Sequence, residues 1–176
     1  MSPRRARRVE STISHERAAT DGFDAVQRLR RDLARAAATL TAQEARYLVD
    51  YYYISQDSRI RAAHQQRTLA EAGEPHELIA WVLAQGHVIE AGVKRALGIY
   101  SQAHEVGRWS ESITGVGPVI SAGLLAHIDI DKAPTVGHIW RFCGLDPTTK
   151  WEPKTKRPWN AALKRLCWLT GESFVK

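Results

Sequence analysis

Cysteine is scarce: Cys143 and Cys167 are the two among 176 residues. Two are too few for a disulfide scaffold and they lack Cys-x-x-Cys spacing, so reduced, buried thiols are expected. Long apolar runs are missing too. Nothing approaches the roughly 20 consecutive apolar residues that cross a bilayer. The basic start Met1-Ser2-Pro3-Arg4-Arg5-Ala6-Arg7-Arg8 is followed by Glu10, Ser11, Thr12, His15, Glu16 and Arg17, where a signal peptide has its apolar stretch. The expectation is a cytoplasmic, nucleoid-associated protein with no membrane contact. The seven histidines contain no His-x-x-x-His pair and no Cys/His cluster of zinc spacing. His127 and His138 therefore read as half-buried hydrogen-bonding residues. Asp129 and Asp131 fall short of the further ligands that magnesium takes and read as turn residues. No metal and no other cofactor are expected.

Acidic residues are sparse at one end only. Met1 to Asp131 holds 16 basic and 16 acidic residues, whereas Lys132 to Lys176 holds 9 basic and 3 acidic, so the whole net charge of +6 lies in the last 45 residues. Four of the six tryptophans, Trp140, Trp151, Trp159 and Trp168, lie there too. A compact basic region rich in tryptophan is the footprint of a polyanion binder.

Residues 1–20 have four early arginines and no apolar periodicity, which predicts a flexible basic arm. Phe23, Val26, Leu29, Leu33, Ala36 or Ala37, and Leu40 recur at helical spacing and predict a first helix. Thr41-Ala42-Gln43-Glu44 reads as a capping box, and neither proline nor glycine interrupts the chain until Gly73, which suits a left-handed helix end. Pro75 suits the first position of a second long helix reaching to about Val106. On that helix Leu78, Val82, Ile89, Val93, Leu97 and Tyr100 form a stripe, with Gln85 or Gly86 at the skipped place. Tyr47, Leu48, Tyr51, Ile54, Ile60 and Leu69 offer the facing stripe. The short link between them predicts a long antiparallel helical hairpin of coiled-coil type over 21–106, able to pair two chains into a homodimer. Packing is the expected use of Tyr51-Tyr52-Tyr53.

From 107 to 176 the centre reads Ile113-Thr114-Gly115-Val116-Gly117-Pro118, continuing through Ser121 and Ala122 to Leu125. A helix ending near Ile113, two glycines able to take positive φ, a proline opening a new helix and a small Ala122 at a crossing predict a helix-hairpin-helix. Thr114, Gly115, Val116, Gly117 and Ser121 are then candidate DNA contacts, because exposed turn amides and a helix start hold phosphate without reading sequence. Further along, Trp151-Glu152-Pro153-Lys154-Thr155-Lys156-Arg157-Pro158-Trp159 is an extended basic loop. Lys150, Lys154, Lys156 and Arg157, with Lys164 and Arg165 on the following helix, are candidate phosphate contacts. Trp151 and Trp159 either stack on bases or anchor the loop to the core. Leu163, Leu166, Cys167 and Leu169 are expected to face inward.

From about Ile113 to Gly171 the sequence resembles the C-terminal domain of the insertion-sequence 110 (also called 116/902) transposase family. The resemblance rests on Ile113 to Pro118, Leu124-Leu125-Ala126-His127-Ile128, Ile139-Trp140-Arg141-Phe142-Cys143-Gly144-Leu145-Asp146-Pro147 and the basic Lys154-Thr155-Lys156-Arg157. It implies DNA as a partner, and structured RNA as well, since such transposases work with a guide-like RNA. Two family features are missing. A nuclease-like domain of the Holliday-junction resolvase kind has no room or strand-and-helix pattern here. The serine that the family places shortly after Gly-Leu-x-Pro is replaced by Thr148-Thr149-Lys150, with no serine between Ser121 and Ser173. Thr148 and Thr149 carry hydroxyls, but neither has an evident activating base nearby.

The expected protein is therefore all-α, a helical hairpin followed by a helix-hairpin-helix domain. Its expected role is non-catalytic binding of duplex or branched DNA in a mobile element or phage, with no catalytic residue assigned. Two alternatives are a recombinase subunit whose partner supplies the nuclease domain and a structural oligomerising protein. No end signal marks Ser173-Phe174-Val175-Lys176, which leaves room for a longer parent chain.

Overall fold

A computed structural model describes residues 31–175. The basic arm expected over 1–20 and the first part of the helix expected from Phe23 lie outside the described residues. Among those described there are seven helices and no strand. They are α1 (Arg31–Ala38), α2 (Ala42–Glu71), α3 (Glu77–Ala103), α4 (Glu105–Glu111), α5 (Pro118–His127), α6 (Val136–Cys143) and α7 (Ala161–Val175). None of them is long and apolar enough to cross a membrane.

Local chemistry sets the ends of the two long helices. The Thr41 hydroxyl accepts from the Glu44 backbone N–H while the Glu44 carboxylate accepts from Thr41 N–H at 2.8 Å, closing the capping box. At the far end Gly73 adopts φ +76, and the Glu74 N–H reaches back to the Leu69 carbonyl, a hydrogen-bond pattern that satisfies a terminal carbonyl. The second helix departs from expectation. Pro75 is not its first residue; the His76 ring instead caps α3, its Nδ1 accepting from Leu78 N–H at 3.2 Å. The helix also stops at Ala103, and Val106 belongs to α4.

The two helices lie side by side and antiparallel, with Arg59 against Gly86 and Glu90. The seam follows the expected stripes in part: Leu97 and Tyr100 are buried with Leu48 and Val93 packed against them, while the outer tyrosine and isoleucine positions of α2 stand outside it. Ala45, Val49 and Tyr52 meet Leu97 and Tyr100 in the core, while Tyr47 and Ile54 are 67% and 65% exposed. On α3, Leu78 is 58% exposed and Val82 and Ile89 about 40%. The reason is α5, which lies across both helices and places Val119, Ala122 and Ala126 in the same cluster, where Ala122 and Ala126 on α5 and Ala45 on α2 are small. Further out the seam is polar. The Glu90 carboxylate pairs with Arg59 and accepts from Gln56 Nε2 at 3.3 Å and Tyr52 OH at 3.4 Å. Burial works to raise its pKa, and these hydrogen bonds outweigh that, leaving the carboxyl below its ordinary value.

A second core joins α5, α6 and α7. Cys143, Leu163 and Leu166 are buried, with Ile120, Leu124, Ile128 and Ile139 packed against them. Cys167 and Leu169 are only half-buried. Leu166 presses on Gly123, where a Cβ would lie 2.6 Å from its Cδ2. Helix α7 runs antiparallel to α5: Asn160 meets His127 at one end, and Ser173 Oγ donates to the Gly115 carbonyl at 2.7 Å at the other. The Cys143 thiol is pushed up to about 12 by burial and by the neighbouring Cys167, itself raised by burial. Both are free thiols that stay protonated at neutral pH.

Candidate nucleic-acid interface

The turn between α4 and α5 begins at Ser112, the C-cap of α4, where the Ser112 N–H still donates to the Trp109 carbonyl. Gly115 takes φ +95, and its other face is closed: a Cβ there would lie 2.7 Å from Phe174 Cδ1. Gly117 differs from the expected positive φ. At φ −88 and ψ 173 it is an extended N-cap, and a Cβ would meet nothing within 4 Å. Glycine is therefore needed for backbone shape at Gly115 and not at Gly117. The backbone N–H groups of Gly115, Gly117, Val119 and Ile120 have no hydrogen-bond partner among the described residues. Thr114 is exposed beside them, whereas Val116 is buried and spends its N–H on the Ile113 carbonyl.

Ser121 is no surface contact. It is fully buried, its hydroxyl 2.6 Å from that of Ser101 and also hydrogen-bonded to that of Ser110, which donates to the Gly107 carbonyl at 2.9 Å. Three serines thus satisfy one another at the junction of α3, α4 and α5. Its side chain holds the crossing and touches no ligand.

The basic loop lies at the opposite end of α5 from the turn. Asn160 accounts for this placement: its N–H donates to the Phe142 carbonyl at 2.9 Å, and its Oδ1 caps α7 by accepting from Leu163 N–H at 3.1 Å. Lys150, Lys154, Lys156, Arg157, Lys164 and Arg165 are all exposed, and none pairs with a carboxylate among the described residues. Three of them rest on aromatic faces. Arg157 lies 5.5 Å from the Trp151 ring centre, Lys164 4.8 Å from Trp159 and Arg165 5.2 Å from Tyr53. Trp151 meets Trp159 edge-on at 6.0 Å and donates its Nε1–H to the Thr155 carbonyl. Trp159 is half-buried against Gly144, whose φ of +69 and contact with the indole leave no room for a Cβ. The tryptophans therefore brace the loop, and one face of each already carries a cation. Lys154 itself sits at φ +73, a conformation that side-chain-bearing residues rarely adopt.

Sequence reading missed the residue beside the two threonines. Asp146 accepts from the Thr148 hydroxyl at 2.7 Å and N–H at 2.9 Å, from Thr149 Oγ1 at 3.3 Å and from Arg141 Nε at 3.4 Å. The expectation of no nearby base is thus corrected. These contacts, that of the Thr148 hydroxyl foremost, hold the Asp146 carboxyl below its usual range, which makes it a weak proton acceptor. The Asp-x-Thr spacing, a common side-chain turn, was the available signal. Asp129 pairs with Lys132 at 2.7 Å and accepts from Asp131 N–H, a turn arrangement. Among the described residues no group of three or more His, Cys, Asp or Glu is placed to hold a metal ion.

His127 is held in one tautomer. Because Asn160 Oδ1 faces α7, its amide NH2 faces His127 Nδ1 at 3.1 Å, so Nδ1 accepts and the ring proton sits on Nε2. Burial, and then the Arg46 guanidinium, push the imidazole below its ordinary pKa, against a smaller opposite pull from Asp50. The neutral form is favoured by folding, so this contribution is complete above the unfolded value of about 6.5 and is lost as pH falls through the lower folded value. His127→Gln should flatten the decline in melting temperature between pH 7.5 and 5. An unchanged pH profile would show that His127 does not titrate with unfolding.

Residues 109–161 match the model of the transposase IS116/IS110/IS902 family. The matched stretch runs from Trp109 on α4 through the glycine turn, α5, α6 and the basic loop to Ala161, the first residue of α7. It takes in both parts of the candidate interface except Lys164 and Arg165, and covers less than a third of the chain. No curated protein and no solved structure matches the chain.

Proposed function

We propose that the chain is a non-catalytic DNA-binding protein of mobile-element type that holds duplex or branched DNA through its phosphates. A transposase-related role is supported by the family match. The finer reading rests on one observation: four unpartnered amides at the Gly115 to Ile120 turn and six carboxylate-free cations lie at the two ends of α5. A ten-residue helix separates them by about 15 Å, near the length of four to five base pairs. Backbone amides at a helix start hold phosphate oxygens, and lysines and arginines neutralise their neighbours, without base-edge contacts. The Thr148 hydroxyl gives no second reading, because the carboxylate beside it is a weak base and takes four hydrogen bonds.

Gly117→Val separates fold from binding. Its backbone conformation and the space beside it accept a side chain, so the fold loses only the better N-cap, about 1 kcal/mol or about 2–4 °C in melting temperature. The added methyls shield the amides, and affinity for several unrelated duplexes should fall by a similar factor for each. Equal affinity of variant and parent would remove the turn from the interface. Binding of structured RNA in the absence of duplex binding would replace DNA as the partner.

A further inference from the structure

A cleft of about 850 Å³ opens at the C-terminal end of α5. Its walls come from five places: Leu125 and Ile128 at the end of α5, Asp129 and Lys132 in the turn that follows it, Ile139 and Phe142 on α6, Arg46 on α2 and Pro158 at the end of the basic loop. The size lies in the range of small-ligand sites. Two kinds of surface meet there. The sides are apolar, while Arg46, Lys132 and Arg141 bring positive charge: Lys132 pairs with Asp129 and Arg141 with Asp146, and Arg46 has no carboxylate partner among the described residues. At the end of α5, the carbonyls of Leu125, Ala126 and His127 accept no hydrogen bond among the described residues. Such carbonyls and the negative helix end suit an N–H donor and disfavour an anion.

A flat ring with N–H edges, joined to an anion, matches this division. We propose that the cleft receives one unpaired nucleotide of the bound DNA, its base against Ile128, Ile139 and Phe142 and its phosphates at Arg46, with the exposed Lys132 and Arg141 turning from their carboxylate partners to the phosphate oxygens. The inference rests on the DNA-binding reading above and adds to it a preference for a strand with a base out of the stack. Pro158 links the cleft wall directly to the Lys154 to Arg157 loop, so a strand held by that loop passes the opening. Extruding a base costs least where it already lacks a partner. The carbonyls accept from amino and imino groups, and the His127 Nε2–H on the same wall can donate to a base acceptor.

The test uses the full chain and three duplexes of one sequence: fully paired, with one central unpaired adenosine, and with an abasic residue in its place. The adenosine bulge should bind at least tenfold tighter than the paired duplex, and the abasic bulge should lose most of that advantage. Phe142→Ala should abolish the preference and leave paired-duplex affinity within about twofold. Circular dichroism checks the variant; if it does not fold, Arg141→Ala, an exposed rim residue, takes its place with the same expected loss. Equal binding of adenosine and abasic bulges, or a preference that survives the folded variant, overturns the inference. Paired-duplex binding without bulge preference rejects the cleft assignment alone. Failure to bind any of the three DNAs rejects the DNA-binding reading and the inference with it.

Discussion

Gly107→Ala should cost at least about 3 kcal/mol and lower the melting temperature by about 10 °C, as seen by calorimetry or thermal circular dichroism. A Cβ at this position would stand 2.0 Å from the Ser101 carbonyl oxygen and 2.8 Å from the Ser101 hydroxyl. The obstacle is backbone, so no rotamer change relieves it. Helix α4 would have to move off α3, and the Ser101, Ser110 and Ser121 hydroxyls would lose partners while still buried. Gly92→Ala is the comparison. It lies inside α3 with nothing within 4 Å of the added carbon, and alanine's helix preference should stabilise the protein by up to about 1 kcal/mol. Similar melting temperatures for the two variants would show that the α3 to α4 junction is not packed as described.

The second large effect is on salt dependence. Changing Lys156 and Arg157 together to alanine should make the slope of log binding constant against log salt shallower by about two units, at about 0.9 per phosphate contact. Both side chains are exposed without carboxylate partners, so folding stability should be nearly unchanged. The tryptophans below them answer differently. Trp159→Ala removes the ring packed on Gly144 and under Lys164 and should destabilise the fold. Trp151 is more exposed and its loss should act chiefly on the loop. A double variant with the parent's affinity and slope would show that the loop does not touch DNA.

The features legible in the sequence are those decided within one or two helical turns. Thr41 and Glu44 are three residues apart, and Gly73 needs only its own backbone, so the capping box and the left-handed helix end could be read directly. Pro75 was misplaced because the His76 ring captures the cap position next to it. The α2 side of the seam between the long helices was misread in part for another reason. Periodicity shows that α2 has more than one apolar face, and which face is covered depends on α5, some 70 residues later. Ser121 looked like a surface hydroxyl because its partners, Ser101 and Ser110, lie on two other helices. The Asn160 to His127 contact, which fixes a tautomer across 33 residues, carries no local signature at all. Composition located the basic surface correctly as a region, yet only the antiparallel run of α7 along α5 puts it at the opposite end from the glycine turn.

The length of α2 sets a distance. Its 30 residues extend about 45 Å from the Thr41 cap, beside the α5 core, to the Gly73 turn. Laid along B-form DNA, that is about 13 base pairs, more than one full turn of the duplex. If the body holds phosphates at one point, anything attached at the outer end of the α2/α3 pair reaches the next turn or beyond. Shortening both helices by matched seven-residue steps would bring that reach in by about 10 Å each time, keeping the facing side chains roughly in register while the outer end swings around the DNA axis.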